Sequence, residues 1–133
     1  MGLSKSVAVV GVAESDKIGL VPDKSALALH MEAARNAITD AGVSKDDIDG
    51  FITAGYWGYD VAEYLGIKPN YTDSTSVGGS SFVIHIAHAM AAINAGYCET
   101  VLITHGQAGR SARVSYGRDP NLPAAQYDIP YGI

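Results

Sequence analysis

A chain of 133 residues is long enough for one domain with its own core, and 47% hydrophobic with 17% charged residues is typical of a globular protein. The net charge of −5 leaves no basic face that could follow a phosphate backbone, so nucleic acid is not an expected partner. No stretch reaches the roughly 18 consecutive apolar residues of a membrane span, and a single cysteine excludes an internal disulfide. The sequence therefore predicts a soluble, cytoplasmic protein that contacts neither membrane nor nucleic acid.

The first half of the chain alternates predicted strands and helices. Ser6 to Ala13, SVAVVGVA, is a β-branched run typical of a strand that is covered on both faces. A helix then begins after Ser25, a fair N-cap, and its apolar positions recur every three or four residues up to Gly42, which ends it. Phe51 to Ala54 is the second predicted strand, and a short helix follows at residues 61–65.

The second half places a glycine turn between a strand and an unusually apolar helix. The third predicted strand is Asn70 to Ser76, and after the turn SVGGSSF a helix runs from Ser80 to Ala95. Glu99 to Thr104 is the fourth strand, and the alternation of strands with helices predicts an α/β fold with a mainly parallel sheet. The helix is apolar around its whole circumference, so we expect a missing C-terminal half or a partner chain to cover its outer side. The alternative is that its small, alanine-rich sides tolerate partial exposure.

The character of the sequence changes after Gly106. Residues 107–133 have no sustained period and contain three Pro, three Tyr and three Arg. We therefore divide the chain into a βα half-domain, 1–106, and the truncated start of a loop region, 107–133.

The glycine turn is the first candidate for chemistry. It meets the first positions of the elbow pattern Gly-x-Ser-x-Gly, but Phe82 stands where the last glycine should be. Free N–H groups at a helix start can hold an oxyanion, a carboxylate or a phosphate. Gly78, Gly79, Ser80 and Ser81 are therefore the predicted active-site elbow, and the alternative is that the glycines only let strand and helix pack closely.

Substrate-binding residues are predicted after the fourth strand. His105 ends that strand, where open α/β sheets place their ligand sites. Arg110, Arg113 and Tyr116 lie together in the tail and could grip an anionic ligand, although a solvated loop is the alternative.

The remaining histidines and the cysteine point to structural roles. His85 and His88 share a helix face, but no acidic residue or cysteine stands at ligand spacing, so hydrogen-bonded rings and no metal site are expected. His30 is expected at the surface or boundary of the first helix. Cys98 has no base or helix N-terminus beside it, so it is expected to pack as a small hydrophobic residue.

The segment GGSSFVIHIAHAMAAINAGYCETVLITHG resembles the N-terminal part of the thiolase superfamily. It is most similar to the divergent branch that includes sterol-carrier-protein-type thiolases, proteins named lipid-transfer proteins and steroid side-chain aldolases. The resemblance spans Val7 to about Arg113 and is specific in the central helix. It implies an αβαβα fold in which two halves pack back to back around central helices, a missing C-terminal half, a homodimer and, as in some relatives, a small OB-fold partner.

The resemblance also bears on the reaction. In the family a cysteine nucleophile opens the central helix, and counting back from Gly96 places Gly79 at that position, so the covalent acyl-enzyme of a thiolase has no nucleophile here. The resemblance then implies a coenzyme A thioester as substrate, no bound cofactor, and retro-aldol carbon–carbon cleavage, which needs a base and an oxyanion site.

Two other functions stay open at this point. One is acetyl-CoA acyltransferase (thiolase) chemistry with residues outside this chain, and the other is a non-catalytic lipid or acyl carrier or structural subunit. The isolated chain is expected to be inactive, and the sequence does not identify the catalytic base.

Overall fold

The computed structural model describes residues 6–55 and 58–111, which form a three-stranded parallel sheet and three α-helices. The strands β1 (Gly50–Thr53), β2 (Tyr71–Asp73) and β3 (Val101–Thr104) lie in the order β2-β1-β3, and both pairs are parallel. The helices are α1 (Ala26–Ala41), α2 (Gly58–Leu65) and α3 (Ser81–Asn94), and a 3₁₀ turn at Lys45–Asp47 precedes β1. The predicted α/β class is confirmed. Of the helices in these two ranges, none has the length and hydropathy to cross a membrane.

Helix α1 forms where the sequence signals predict it. The hydroxyl oxygen of Ser25 accepts a hydrogen bond from the N–H of Ala28 at 3.1 Å, which satisfies one of the free donors of the first turn. Gly42 ends the helix with a φ of +67°, a conformation that glycine adopts without the steric cost of a Cβ. The buried residues of this helix are Leu29, His30 and Ala34.

The crossovers place helices on both faces of the sheet. The chain steps sideways from β1 through α2 to β2, and then returns through α3 past β1 to β3. Right-handed crossovers in opposite directions put α2 and α3 on opposite faces. Helix α1 contacts α2 and β3, so it shares the face of α2.

The main core lies between the sheet and the pair α1 and α2. Phe51 is completely buried there and is paired with Leu102 in the register of β1 and β3. Side chains two residues apart on a strand share a face, so Thr53 and Thr104 continue this face to the carboxyl ends of the strands. The buried cluster consists of Ala34, Ile48, Phe51, Val61, Ala62, Ile67 and Leu102.

The prediction of a strand at residues 6–13 is wrong, because this segment has no regular secondary structure and pairs with none of the described strands. It lies along α1 instead: a Cβ on Gly11 would come 2.6 Å from a carbonyl oxygen of the helix, and the N–H of Val12 donates to Asp40 at 2.9 Å. Val9 is 70% exposed. β-branched composition favours a strand but cannot supply the neighbouring strand that forms the hydrogen-bonded ladder.

The other predicted elements are present with shifted ends. The short helix begins earlier than predicted, at Gly58, whose N–H donates to the hydroxyl of Ser74 at 2.7 Å. The third strand is shorter than predicted and ends at Asp73, because the Asp73 carboxylate accepts the N–H of Thr75 at 2.8 Å and turns the chain out of the sheet.

Helix α3 is apolar on both sides, as predicted, but the described residues cover only one of them. Val83 on the opposite side is 71% exposed and Ile86 is 45% exposed. The buried residues of α3 are Ser81, His85, Ala89 and Ala92. An apolar outer face of this kind is typical of a helix that packs against a further layer of protein.

Truncation of Phe51 tests the core. Phe51→Ala is expected to lower the free energy of unfolding by about 3–5 kcal/mol, because the side chain is completely buried and leaves a cavity. Urea unfolding followed by circular dichroism measures the loss. Tyr64→Ala, at a residue that is 67% exposed, serves as the control and should change stability by less than about 0.5 kcal/mol. Equal losses in the two variants would contradict this placement of the core.

Candidate active site

The turn between β2 and α3 has an open tip. Gly78 has a φ of +78°, in the left-handed region where other residues are strained. Gly79 has no such requirement, and a Cβ built on it would meet no atom within 4 Å. Residues 76–80 are all exposed. The tip at Gly79 therefore has room for a ligand.

Ser81 holds the turn together from below. Its hydroxyl donates to the carbonyl oxygen of Gly78 at 2.6 Å and accepts the N–H of Val77 at 2.9 Å. The N–H of Ser81 also donates to the carbonyl oxygen of Gly78, at 3.0 Å, and the residue is completely buried. The hydroxyl and the N–H of Ser81 are thus both used within the turn. Ser81, which the sequence predicted as part of the elbow, therefore has no free donor for a ligand.

Two N–H groups at the start of α3 remain available. The N–H groups of Ser80 and Phe82 donate to no acceptor within the described part of the chain, and the Ser80 side chain makes no capping hydrogen bond. The first N–H groups of a helix lack intrahelical partners and carry the positive end of the helix dipole. They can therefore donate to a carbonyl oxygen or an anion at the tip of the turn.

His105 lies beside this helix start. Its ring centroid is 4.4 Å from that of Phe82, with the ring planes tilted by 51°. The strands are parallel, so the carboxyl end of β3, which carries His105, and the carboxyl end of β2, which leads into the turn, meet at one edge of the sheet. The residue is exposed, yet partial burial of the ring lowers the pKa of His105, which favours the neutral imidazole. The predicted elbow and His105 are thus brought together.

The prediction that His30 lies at the surface or boundary of α1 is wrong, because the residue is completely buried. Its Nδ1 is 2.9 Å from the hydroxyl oxygen of Thr104, whose carbonyl oxygen accepts the hydroxyl of Thr53 at 2.9 Å. Burial, and then repulsion from His105, lowers the pKa of His30 to about 4, so the ring is neutral near pH 7. His30 shares a helix face with Ala26, Ala33 and Ala37. This spacing is the feature of the sequence that indicates burial of His30.

Gly106 fixes the chain on the other side of His105. A Cβ at Gly106 would lie 2.5 Å from the carbonyl oxygen of Ala26 and 2.7 Å from the ring of His30, so only glycine fits against α1 here. The residues before and after His105 are therefore both anchored to α1.

His85 and His88 are hydrogen-bonded, as predicted. His85 is completely buried, and its Nε2–H donates to the carbonyl oxygen of Thr75 at 2.7 Å. Half-buried His88 bonds through Nδ1 to a carboxylate oxygen of Asp73, a partner that sequence reasoning missed because it lies on another element. Burial raises the pKa of Asp73, but hydrogen bonds from Thr75 and His88 outweigh it and hold that pKa below its usual value.

The four histidines of the chain and Phe82 form one row of rings, in which Phe82 lies between His105 and His85. From His30 to His105 the ring centroids are 6.3 Å apart, from Phe82 to His85 5.6 Å, and from His85 to His88 6.4 Å. Within residues 6–55 and 58–111, no three His, Cys, Asp or Glu side chains come together as metal ligands. The row is therefore a set of packed and hydrogen-bonded rings beside the elbow.

The remaining candidate residues are Arg110, Arg113, Tyr116 and Cys98. Arg110 is exposed in the turn after β3, whereas Arg113 and Tyr116 lie outside the described residues. Cys98 is 3% exposed, and burial and then the nearby Asp49 raise the pKa of its thiol. The prediction that Cys98 packs as a small hydrophobic residue is confirmed.

No family model and no curated protein sequence match the chain. The "Ltp2-ChsH2(DUF35) aldolase" is 28% identical with a TM-score of 0.72, covering 94% of this chain and 33% of that chain. A monomeric SCP2-thiolase-like protein type 1 from Mycobacterium smegmatis is 27% identical with a TM-score of 0.58, covering 71% of this chain and 22% of that chain.

More distant structures share the fold alone. The 3-oxoacyl-[acyl-carrier-protein] synthase III from Aquifex aeolicus is 22% identical with a TM-score of 0.55, covering 63% of this chain and 30% of that chain. The chain therefore has a thiolase-like fold, which it shares with these structures. It spans a third or less of the length of each of these three structures.

The two glycines of this thiolase-fold elbow should respond differently to alanine. Gly78→Ala is expected to lower the free energy of unfolding by about 1–2 kcal/mol, because a φ of +78° strains a residue with a Cβ. Gly79→Ala is expected to be within about 0.5 kcal/mol of the unchanged protein, since its Cβ meets open space. Thermal and urea unfolding compare the two variants. A larger loss at Gly79 would contradict the described turn.

The buried His30 predicts a loss of stability in acid. Its folded-state pKa of about 4 lies below the ordinary 6.5, so the unfolded chain binds more protons between these values and stability falls as the pH drops through this range. His30→Asn, which can still bond to Thr104, should make the fall in urea midpoint between pH 6.5 and 4 shallower. An unchanged pH dependence would show that His30 does not stay neutral in the folded protein.

Proposed function

We propose that this chain is the N-terminal part of a thiolase-fold subunit that cleaves a carbon–carbon bond in an acyl-CoA thioester by aldolase-type chemistry. The observation that carries the proposal is the elbow, where the N–H groups of Ser80 and Phe82 have no acceptor among the described residues and the open tip has no side chain at Gly79. The likeness to a structure named as an aldolase, over 94% of this chain at 28% identity, supports it.

The described residues favour chemistry without a covalent intermediate. The hydroxyl of Ser81 is buried and already donates to a carbonyl oxygen, so no base can activate it for attack. Cys98 follows the far end of α3, is buried, and has a raised pKa, so it lacks the thiolate character of a nucleophile. Aldol cleavage needs neither group.

The elbow fits the electronic demand of that cleavage. When the bond between the α and β carbons of a β-hydroxyacyl thioester breaks, negative charge collects on the thioester oxygen. The N–H groups of Ser80 and Phe82 would stabilise this oxygen as the enolate forms. Arg110, together with Arg113 and Tyr116 in the tail, would contribute contacts to the anionic coenzyme.

The outer face of α3 indicates how the site is completed. Val83 and Ile86 form an apolar surface that the described residues leave uncovered, and we infer that the C-terminal half of the subunit packs on it. A homodimer and a small OB-fold partner are part of the same proposal. The name of the aldolase neighbour joins two proteins, Ltp2 and ChsH2, which supports an assembly of more than one kind of chain.

Product analysis on the full-length protein with its partners tests the function. A β-hydroxyacyl-CoA should give a ketone or aldehyde and a shortened acyl-CoA, detected by liquid chromatography and mass spectrometry. CoA-dependent cleavage of a β-ketoacyl-CoA instead would show thiolase chemistry with a nucleophile from elsewhere, which the SCP2-thiolase-like neighbour makes the second candidate. Binding of either thioester without turnover would show a carrier and contradict the proposal.

A further inference from the structure

His105 lies beside the start of α3, where the elbow opens. Its ring contacts Phe82, which belongs to the first turn of α3, and the residue is exposed at the carboxyl edge of the sheet. Phe82 stands three positions after Gly79, so the contact brings the imidazole to the same helix start as the unpaired N–H groups.

The backbone around His105 is fixed more firmly than that of an ordinary loop residue. Thr104 before it is bonded to His30, and Gly106 after it packs against Ala26 of α1 with no room for a Cβ. Alternation along the strand directs Thr104 toward α1 and His105 toward α3. A proton-transfer group needs this fixed orientation, which brings it repeatedly to the same atom of a ligand.

The other three histidines are less suited to the task. His30 is completely buried, His85 donates to the carbonyl oxygen of Thr75, and His88 is bonded to Asp73. His88 also lies seven residues after the start of α3, about 10 Å along the helix axis. Among the described residues, the ring of His30 on α1 lies 6.3 Å from that of His105, and His85 on α3 lies on the other side of Phe82.

We propose that His105 is the general base of the elbow site, positioned by His30 and Phe82; this inference rests on the proposed aldolase function. The imidazole removes the proton of the β-hydroxyl group as the bond between the α and β carbons breaks. The β carbon leaves as a ketone or aldehyde, and the electron pair of the broken bond becomes the enolate at the thioester. The imidazolium then returns the proton to the α carbon, so the step needs no oxidant, reductant or further reactant.

A thiol at the elbow tests this placement without any substrate. In the full-length Gly79→Cys variant, a neutral imidazole within reach accepts the thiol proton, the thiolate displaces iodide from iodoacetamide, and alkylation is fast. Adding His105→Gln should slow alkylation at pH 7 by about tenfold or more. Adding His88→Gln, which removes an imidazole farther along the same helix, should change the rate by less than about twofold.

The cleavage assay tests the His105→Gln substitution a second time. In the otherwise unchanged full-length protein, His105→Gln should lower kcat by about 100-fold or more. Thermal unfolding accompanies each variant, and His105→Ala provides a second comparison if the glutamine variant does not fold. An unchanged alkylation rate, or an unchanged kcat in a protein that cleaves its substrate, overturns the role of His105. Fast, His105-dependent alkylation in a protein that cleaves no β-hydroxyacyl-CoA would instead place the failure in the proposed function.

Discussion

The hydrogen bond between His30 and Thr104 fixes the edge of the sheet on which the site depends. It joins the inner face of α1 to the last residue of β3, at a point where Thr53 of the central strand also donates to Thr104. A buried imidazole without such a partner would be costly, so the bond stabilises one arrangement of α1 against the sheet. That arrangement sets where His105 emerges.

A second constraint acts at the other side of the same edge. The hydroxyl of Ser81 closes the turn before α3, and the positive φ of Gly78 gives the turn its sharpness. The tip at Gly79 carries no side chain, and the N–H groups of Ser80 and Phe82 donate to no acceptor in the described part of the chain. Phe82 joins the two constraints, because its ring lies against His105. Rigid elements therefore hold both the proposed oxyanion donors and the proposed base, although each lies at the end of its element.

Much of the fold followed from the sequence, and the failures have physical causes. The periodicity of α1, the all-round apolar α3 and the parallel order were predictable, since local spacing and element alternation determine them. The segment 6–13 was misassigned because a strand depends on a neighbour that its own residues do not specify. His30 was misplaced although it lies on the stripe of Ala26 and Ala33. The pairing of His88 with Asp73 could not be predicted, because residues on different elements meet only through the tertiary fold.

The elbow was the part of the site that the sequence indicated best. A glycine pair after a strand and before a helix signals an exposed turn, but it does not reveal which N–H groups are already used. Ser81 shows the limit, since its N–H and hydroxyl both bond to the carbonyl oxygen of Gly78. Likewise, the position of His105 at a strand end indicated a ligand site, whereas its contact with Phe82 became visible only in three dimensions.

The most direct measurement is a crystal structure of the full-length protein with a non-cleavable β-hydroxyacyl-CoA analogue. The account predicts the thioester oxygen within hydrogen-bonding distance of the N–H of Ser80 or Phe82, the β-hydroxyl group next to the ring of His105, and protein packed over Val83 and Ile86. An analogue bound away from this edge, or an outer face of α3 left in solvent, would contradict it.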